Sequence, residues 1–235
     1  MLETLAGVLL PVLACVACGY IWARSGQPFD TAMVSRLVMT VGAPCLIIST
    51  LAKVSVSLED LQAVVVAYAF VQAITLAAGL LWLRVAGLPW RDWFNVLMFP
   101  NVGNMGLPLC LLAFGDAGLA LALAWFTVNS VLHFSLGIMV ASGHWDLSHL
   151  ITNPVVMASL LAMALLAGDV SLPGWLTATL DLVGGFTIPM MLITLGVALA
   201  KLPWRGLGAS VYVAVGRLLI GLAAGVAVAK WLALS

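Results

Sequence analysis

The chain is a succession of apolar runs, each about as long as a bilayer is thick, separated by short polar punctuation. A spanning helix takes about 20 mostly apolar residues. On that measure residues 4–23, 32–52, 61–83, 93–114, 117–140, 150–167, 176–199 and 207–231 make eight spans. Between them lie Arg24-Ser25-Gly26-Gln27-Pro28, Ser55 to Asp60, Gly87 to Asp92, Gly115-Asp116, Ser142 to Ser148, Gly168 to Gly174 and Lys201 to Gly206. These connections hold the glycines, prolines and charges that turns require, and none is long enough to separate soluble domains. The pattern predicts an all-α integral membrane protein. Met1 to Leu10 lacks the basic start and small-residue cleavage site of a signal peptide, so the first span is expected to remain in the mature protein.

Composition agrees with the pattern and removes several alternatives. Of 235 residues, 64% are hydrophobic and 8% charged, with a mean hydropathy of +1.19. A soluble domain carries about 25% charged residues and could not cover its surface with so few. Nine Lys plus Arg balance nine Asp plus Glu, which argues against a nucleic-acid partner. Cys15, Cys18, Cys45 and Cys110 all fall inside apolar runs, where a thiol behaves as a small hydrophobe, so neither a disulfide nor a metal is expected. No phosphate loop, metal-ligand cluster or spaced Ser/His/Asp set is present, so neither an enzyme nor a cofactor is expected.

Charge also suggests an orientation. With the N-terminus outside, the cytoplasmic loops and their margins receive Arg24, Arg36, Arg84, Arg91, Lys201 and Arg205, against Lys53 and Lys230 on the other side. Positive loops stay cytoplasmic, which favours N-out in a cell membrane. Leu88-Pro89-Trp90-Arg91 and Leu202-Pro203-Trp204-Arg205 both fall on that side and read as interfacial anchors.

A shift of 145 residues lays Leu37, Val38, Pro44 and Ile48 of the second span over Leu182, Val183, Pro189 and Ile193 of the seventh. It also lays Gln72 over Arg217, and Pro11 corresponds to Pro154 at an offset of 143. A five-span unit is thereby repeated, and an odd number of spans makes the repeat inverted. Residues 1–145 form the first unit and 146–235 a partial second one of three spans. Partners for the fourth and fifth spans are expected at 238–285, beyond Ser235. The chain therefore reads as a fragment, a shortened gene product, or a protein that has dispensed with half a unit.

The fourth span is the one that carries chemistry. Pro100-Asn101-Val102-Gly103-Asn104-Met105-Gly106-Leu107-Pro108 gathers two prolines, two glycines and two asparagines at one depth. Proline removes a donor and glycine weakens a helix, so the chain is expected to break there, with Pro44 and Pro189 marking breaks in the second and seventh spans. Irregular backbone at membrane depth must line protein or a water-filled cavity. A half-helix N-terminus also offers free N–H groups and partial positive charge to an anion. Asn101, Gly103, Asn104 and Gly106 are accordingly candidate substrate contacts, the alternative being a simple kink whose asparagines bond neighbouring helices.

These residues, with Gly42-Ala43-Pro44-Cys45-Leu46-Ile47 and the run from Gly185 to Leu199, resemble the auxin efflux carrier family of permeases. The resemblance implies ten spans in two inverted five-helix units, broken helices at spans 4 and 9, and organic-anion substrates such as auxin, malate or malonate. The second broken helix and the last span have no counterpart here. Asn129 would then be a substrate contact, and it shares a helix face with His133, a candidate proton relay or simply a bundle hydrogen-bonding group. Gln72 faces either a cavity or a neighbouring backbone. Arg217 is the one Lys or Arg near the middle of a span. It must find water, a partner or a carboxylate, so it is a candidate countercharge for substrate. The other options are a partner on the absent spans, or snorkelling towards Lys201 and Arg205.

Asp and Glu are expected only near span ends, with Asp169 and Asp181 in or near a loop, which argues against an acidic cation cage. The function expected is alternating-access transport of a small organic anion. The alternative is a non-transporting pseudo-carrier or membrane assembly partner. Oligomeric state is left open, with a homodimer one arrangement.

Overall fold

A computed structural model of the chain describes residues 2–53, 58–144, 152–168, 170–202 and 207–232. Ser55, Trp145 to Ser148, the first two residues of the sixth expected span, Asp169 and Pro203-Trp204-Arg205 fall outside the described residues. Among the described residues the chain is all helix, with no strand. The helices are α1 (Leu2–Arg24), α2 (Thr31–Leu37), α3 (Ala43–Lys53), α4 (Leu58–Val85), α5 (Trp90–Met98), α6 (Leu107–Leu132), α7 (Ile138–Ser142), α8 (Pro154–Ala167), α9 (Gly174–Gly185), α10 (Thr187–Ala200) and α11 (Leu207–Trp231). Three π turns, Val38–Gly42, Val102–Gly106 and His133–Gly137, interrupt the α-helical pattern.

Among the described residues six stretches are long and apolar enough to cross a membrane: Ala6–Arg24, Thr31–Ala52, Gln62–Val85, Trp90–Ser142, Gly174–Ala200 and Leu207–Trp231. Pro154–Leu165 is a shorter apolar helix. The stretch Trp90–Ser142 has 53 residues, which as one rod would measure about 80 Å against a hydrocarbon core of about 30 Å. It is not one rod, because the backbone leaves helical conformation at Gly115 (φ 67°, ψ −158°). That angle is open to glycine and strained for other residues, and it falls at the expected Gly115-Asp116 connection.

The local starts and stops follow from the sequence. Asp30 caps α2 by accepting from the Met33 N–H at 3.0 Å. Asn153 caps α8, accepting from Val155 N–H at 2.9 Å and Val156 N–H at 3.3 Å. Glu59 and Asp60 open α4 and Arg84 closes it, each complementing the helix dipole.

The prolines behave in two ways. Pro44 and Pro108 cannot donate to the carbonyls four residues back, Thr40 and Asn104, and their rings crowd those carbonyls. In each case a π turn ending in glycine lies just before the proline, with a five-residue bond in place of the four-residue one. Ala43 N–H donates to Val38 O, and Leu107 N–H to Val102 O. The path stays helical through both prolines, which differs from the breaks expected there: one widened turn absorbs the ring. Pro189 sits in the first turn of α10, after a single-residue interruption at Phe186, where a missing N–H costs nothing. Asp181, expected in or near a loop, lies instead within α9, seven residues or about 10 Å past its start.

The chain forms two compact units that interleave along the sequence: 1–58, 101–127 and 151–202 make one, and 59–100, 128–150 and 203–235 the other. The boundary between residues 100 and 101 falls inside the fourth expected span. In the first unit α1 runs along α10, and α3 packs against α8 and α9. A Cβ at Gly19 would overlap the carbonyl of Ile193, and one at Gly196 the carbonyl of Val16. Small residues on both faces let the two backbones approach, the usual packing device where lipid gives no hydrophobic drive. Thr127 and Ser159 share a hydroxyl hydrogen bond of 2.7 Å between α6 and α8.

The second unit is centred on fully buried Leu83, Leu97 and Val213, with Leu88, Trp93 and Tyr212 against them. Trp82 stacks on Tyr212 at 4.8 Å and donates its indole N–H to the Tyr212 carbonyl at 3.3 Å. Large apolar side chains cover the outside of the chain, with Leu182 80% and Leu218 72% exposed. That is the surface a bilayer, rather than water, accommodates.

Candidate functional site

The break in the fourth span runs from Phe99 to Asn101. Proline disfavours helical backbone in the residue before it, and Phe99 is extended (φ −108°, ψ 102°). Pro100 and Asn101 follow outside any helix before the chain re-enters one at Val102. Asn101 caps that second half: its Oδ1 accepts from the Asn104 N–H at 3.2 Å, and its carbonyl accepts from Met105 and Gly106. Asparagine is a favoured N-cap because its side chain satisfies a donor that has no carbonyl before it. Asn101 is exposed, Asn104 half-buried and Gly103 buried.

Within the same unit, Ser35, Val38, Met39, Asn104, Met191 and Thr194 line a partly open recess of about 80 Å³. Thr194 is buried and its Oγ1 makes no hydrogen bond. That oxygen is shut off from the recess as well, and an orphan hydroxyl costs about 1–3 kcal/mol. At about 30 Å³ per water, the space admits two or three waters or one small polar group such as a carboxylate. A Cβ at Gly103 would meet Phe126 and Met191 at 3.4 Å and 3.7 Å, which is ordinary contact.

The other half of the break belongs to the second unit. Helix α5 ends there with carbonyls that no further turn can satisfy. Arg217 Nη1 donates to the Val96 carbonyl at 2.7 Å and also to that of Leu97. Gln72 Nε2 donates to the Met98 carbonyl at 2.7 Å. Three successive carbonyls are thus met by side chains from α11 and α4, and the guanidinium lies at the negative end of the half-helix. Asn95 Nδ2 donates to the Gly137 carbonyl at 3.1 Å, while its Oδ1 is buried without a partner. Asn129 is buried and accepts from the Tyr68 hydroxyl at 3.2 Å. His133 stacks on Phe99 at 4.7 Å.

The candidate residues therefore divide between the units. Asn101, Gly103, Asn104 and Gly106 share one stretch in the first, and Asn129 and Arg217 lie in the second. Gln72 bonds a neighbouring backbone, one of its two expected options. Sequence reading missed Ser35, Tyr68 and Thr194. Thr194 had a signal, as one of few hydroxyls in the apolar run from Gly185 to Leu199. Ser35 and Tyr68 had none, because hydroxyls are common in spans and only the fold shows what they face. Among the described residues, no group of three or more His, Cys, Asp or Glu is placed to hold a metal.

A multi-span helical membrane protein with one span broken at mid-length, and the break satisfied by side chains, has the build of a transporter. The chain belongs to the membrane transport protein family, the auxin efflux carrier type, whose profile matches residues 5–146 and 138–235. It is also similar to an uncharacterized transporter of Methanothermobacter thermautotrophicus, 28% identical over 203 residues, which are 81% of this chain and 67% of that protein.

Proposed function

We propose that the protein moves a small organic anion, such as malate or malonate, across the cell membrane by alternating access about the broken fourth span. The observation that carries this reading is the Asn101-capped start of the second half-span beside a small recess lined by Asn104, Ser35 and Thr194. Helix N–H groups, an amide and a hydroxyl together suit a carboxylate, and they bind it without the cost of burying a permanent cation. The boundary between the two compact units falls at residue 100, where a change of backbone angles would let one group of helices rock against another.

In this reading Gly115 divides Trp90–Ser142 into two spans and the shorter helix from Pro154 makes one more, giving eight in all, with the N-terminus outside and an inverted repeat. Asn101, Asn104, Gly103 and Gly106 contact substrate. Within the second unit Asn129 holds Tyr68 and Arg217 holds the end of α5.

Uptake of labelled malonate by proteoliposomes tests the proposal. Wild-type protein accumulates label, and Asn101→Ala and Asn104→Ala each reduce the initial rate at least tenfold at unchanged reconstitution, the consequence of losing more than about 1.4 kcal/mol of binding. Normal uptake by both variants would remove the site. Absence of uptake by the wild type with any carboxylate would favour a non-transporting membrane protein.

A further inference from the structure

Outside the broken span, the second unit carries a recess of about 430 Å³, within the range of roughly 300–1,000 Å³ usual for ligand sites. Leu76, Leu80 and Arg84 follow one another at four-residue intervals along α4. Trp90 and Phe94 do the same on α5, and Leu88 closes the turn between them. Such spacing puts each set on one helix face. The walls are apolar, yet Leu76, Leu80 and Trp90 remain 37%, 36% and 45% exposed, so the recess is open rather than filled by the protein.

Its one charged lining residue is Arg84, which makes no hydrogen bond or ion pair among the described residues. Arg91 lies next to this end, its guanidinium 5.5 Å from the centre of the Trp90 ring. Arg91 and Asp92 together line a neighbouring recess, with Trp90 and Met139 to Gly143, so Arg91 belongs to that recess and not to this one. The site is therefore a hydrocarbon-lined slot with one uncompensated cation, Arg84, at its end. This is the Leu88-Pro89-Trp90-Arg91 segment that the sequence marks as an interfacial anchor.

We infer that this recess binds an anionic phospholipid, with an acyl chain along Leu76, Leu80 and Phe94 and its phosphate on Arg84. Charge complementarity selects this occupant. A soluble anion would leave the slot walls uncovered, and a second copy seated symmetrically would bring Arg84 against Arg84. The tail gains little by moving from lipid to protein, since both are apolar. Selectivity must therefore lie in the headgroup, where each juxtamembrane basic residue contributes about a fivefold preference for anionic over neutral lipid.

The test is native mass spectrometry of the full chain in detergent, with phosphatidylglycerol and phosphatidylethanolamine of identical acyl chains offered together. Wild-type protein retains phosphatidylglycerol over phosphatidylethanolamine. Arg84→Gln lowers that ratio about fivefold, Arg84→Lys keeps it, and Leu80→Trp reduces retention of both lipids by filling the slot. Equal retention of the two lipids by wild type, or an unchanged ratio in Arg84→Gln, overturns the inference. So does a dimer that Leu80→Trp dissociates while lipid retention stays the same, which would make the recess a contact between copies. Arg84 is exposed and its substitution leaves the buried Leu83, Leu97 and Val213 cluster intact.

Discussion

Arg217 shows how one charged residue at membrane depth is made tolerable. Its guanidinium meets the carbonyls of Val96 and Leu97 while Gln72 meets that of Met98, so the broken end of α5 replaces the missing turn with side-chain donors. Leaving a buried carbonyl unmet costs about 1–3 kcal/mol, and in a chain of this size each kcal/mol moves the melting temperature by about 2–4 °C. Arg217→Ala is expected to lower the melting temperature of ligand-free protein by several degrees in a detergent thermal-shift assay. Gln72→Ala lowers it less, having one neutral bond to lose. A residue that served only as countercharge for substrate would leave the ligand-free melting temperature where it was. Sequence alone marked Arg217 and Gln72 as unusual and laid one over the other at a shift of 145 residues. It did not show that both end on the same half-helix, because that depends on how α4 and α11 pack around α5.

At the scale of elements, much of the architecture was legible because helix length, proline and glycine each have a direct physical consequence. The break at Phe99–Asn101 and the turn at Gly115 both fall where Pro100 and the Gly-Asp pair sit. The response to Pro44 and Pro108 was not legible. Sequence gives the loss of a donor and the clash, but a helix can either open or widen by one residue, and the glycines at 42 and 106 accompany widening. The packing of α1 on α10 was hidden for another reason: Gly19 and Gly196 look like any glycines in a span until the carbonyls they face are known. Gly19→Val and Gly196→Val are each expected to destabilise the protein by about 1–3 kcal/mol through overpacking, read as earlier thermal unfolding. Gly103→Ala, whose methyl meets only ordinary contacts, leaves the unfolding temperature within a degree or two.

On the scale of the whole molecule, the apolar exterior, the interleaved units and the family membership describe a membrane transporter. Composition already excluded a soluble domain. What it left open was the chemistry of the broken span, since asparagine, glycine and proline are compatible with both a kink and a binding site. The Asn101 cap and the recess that Asn104 lines with Ser35 and Thr194 are what favour a site. Current recorded from protein-containing membranes adsorbed on a solid support, on a switch from chloride to malonate, tests the central claim most directly. A transient current carried by inward-moving negative charge is expected, saturable in malonate and abolished in Asn104→Ala. A current of equal size in Asn104→Ala, or none from wild-type protein with any small carboxylate, would contradict it.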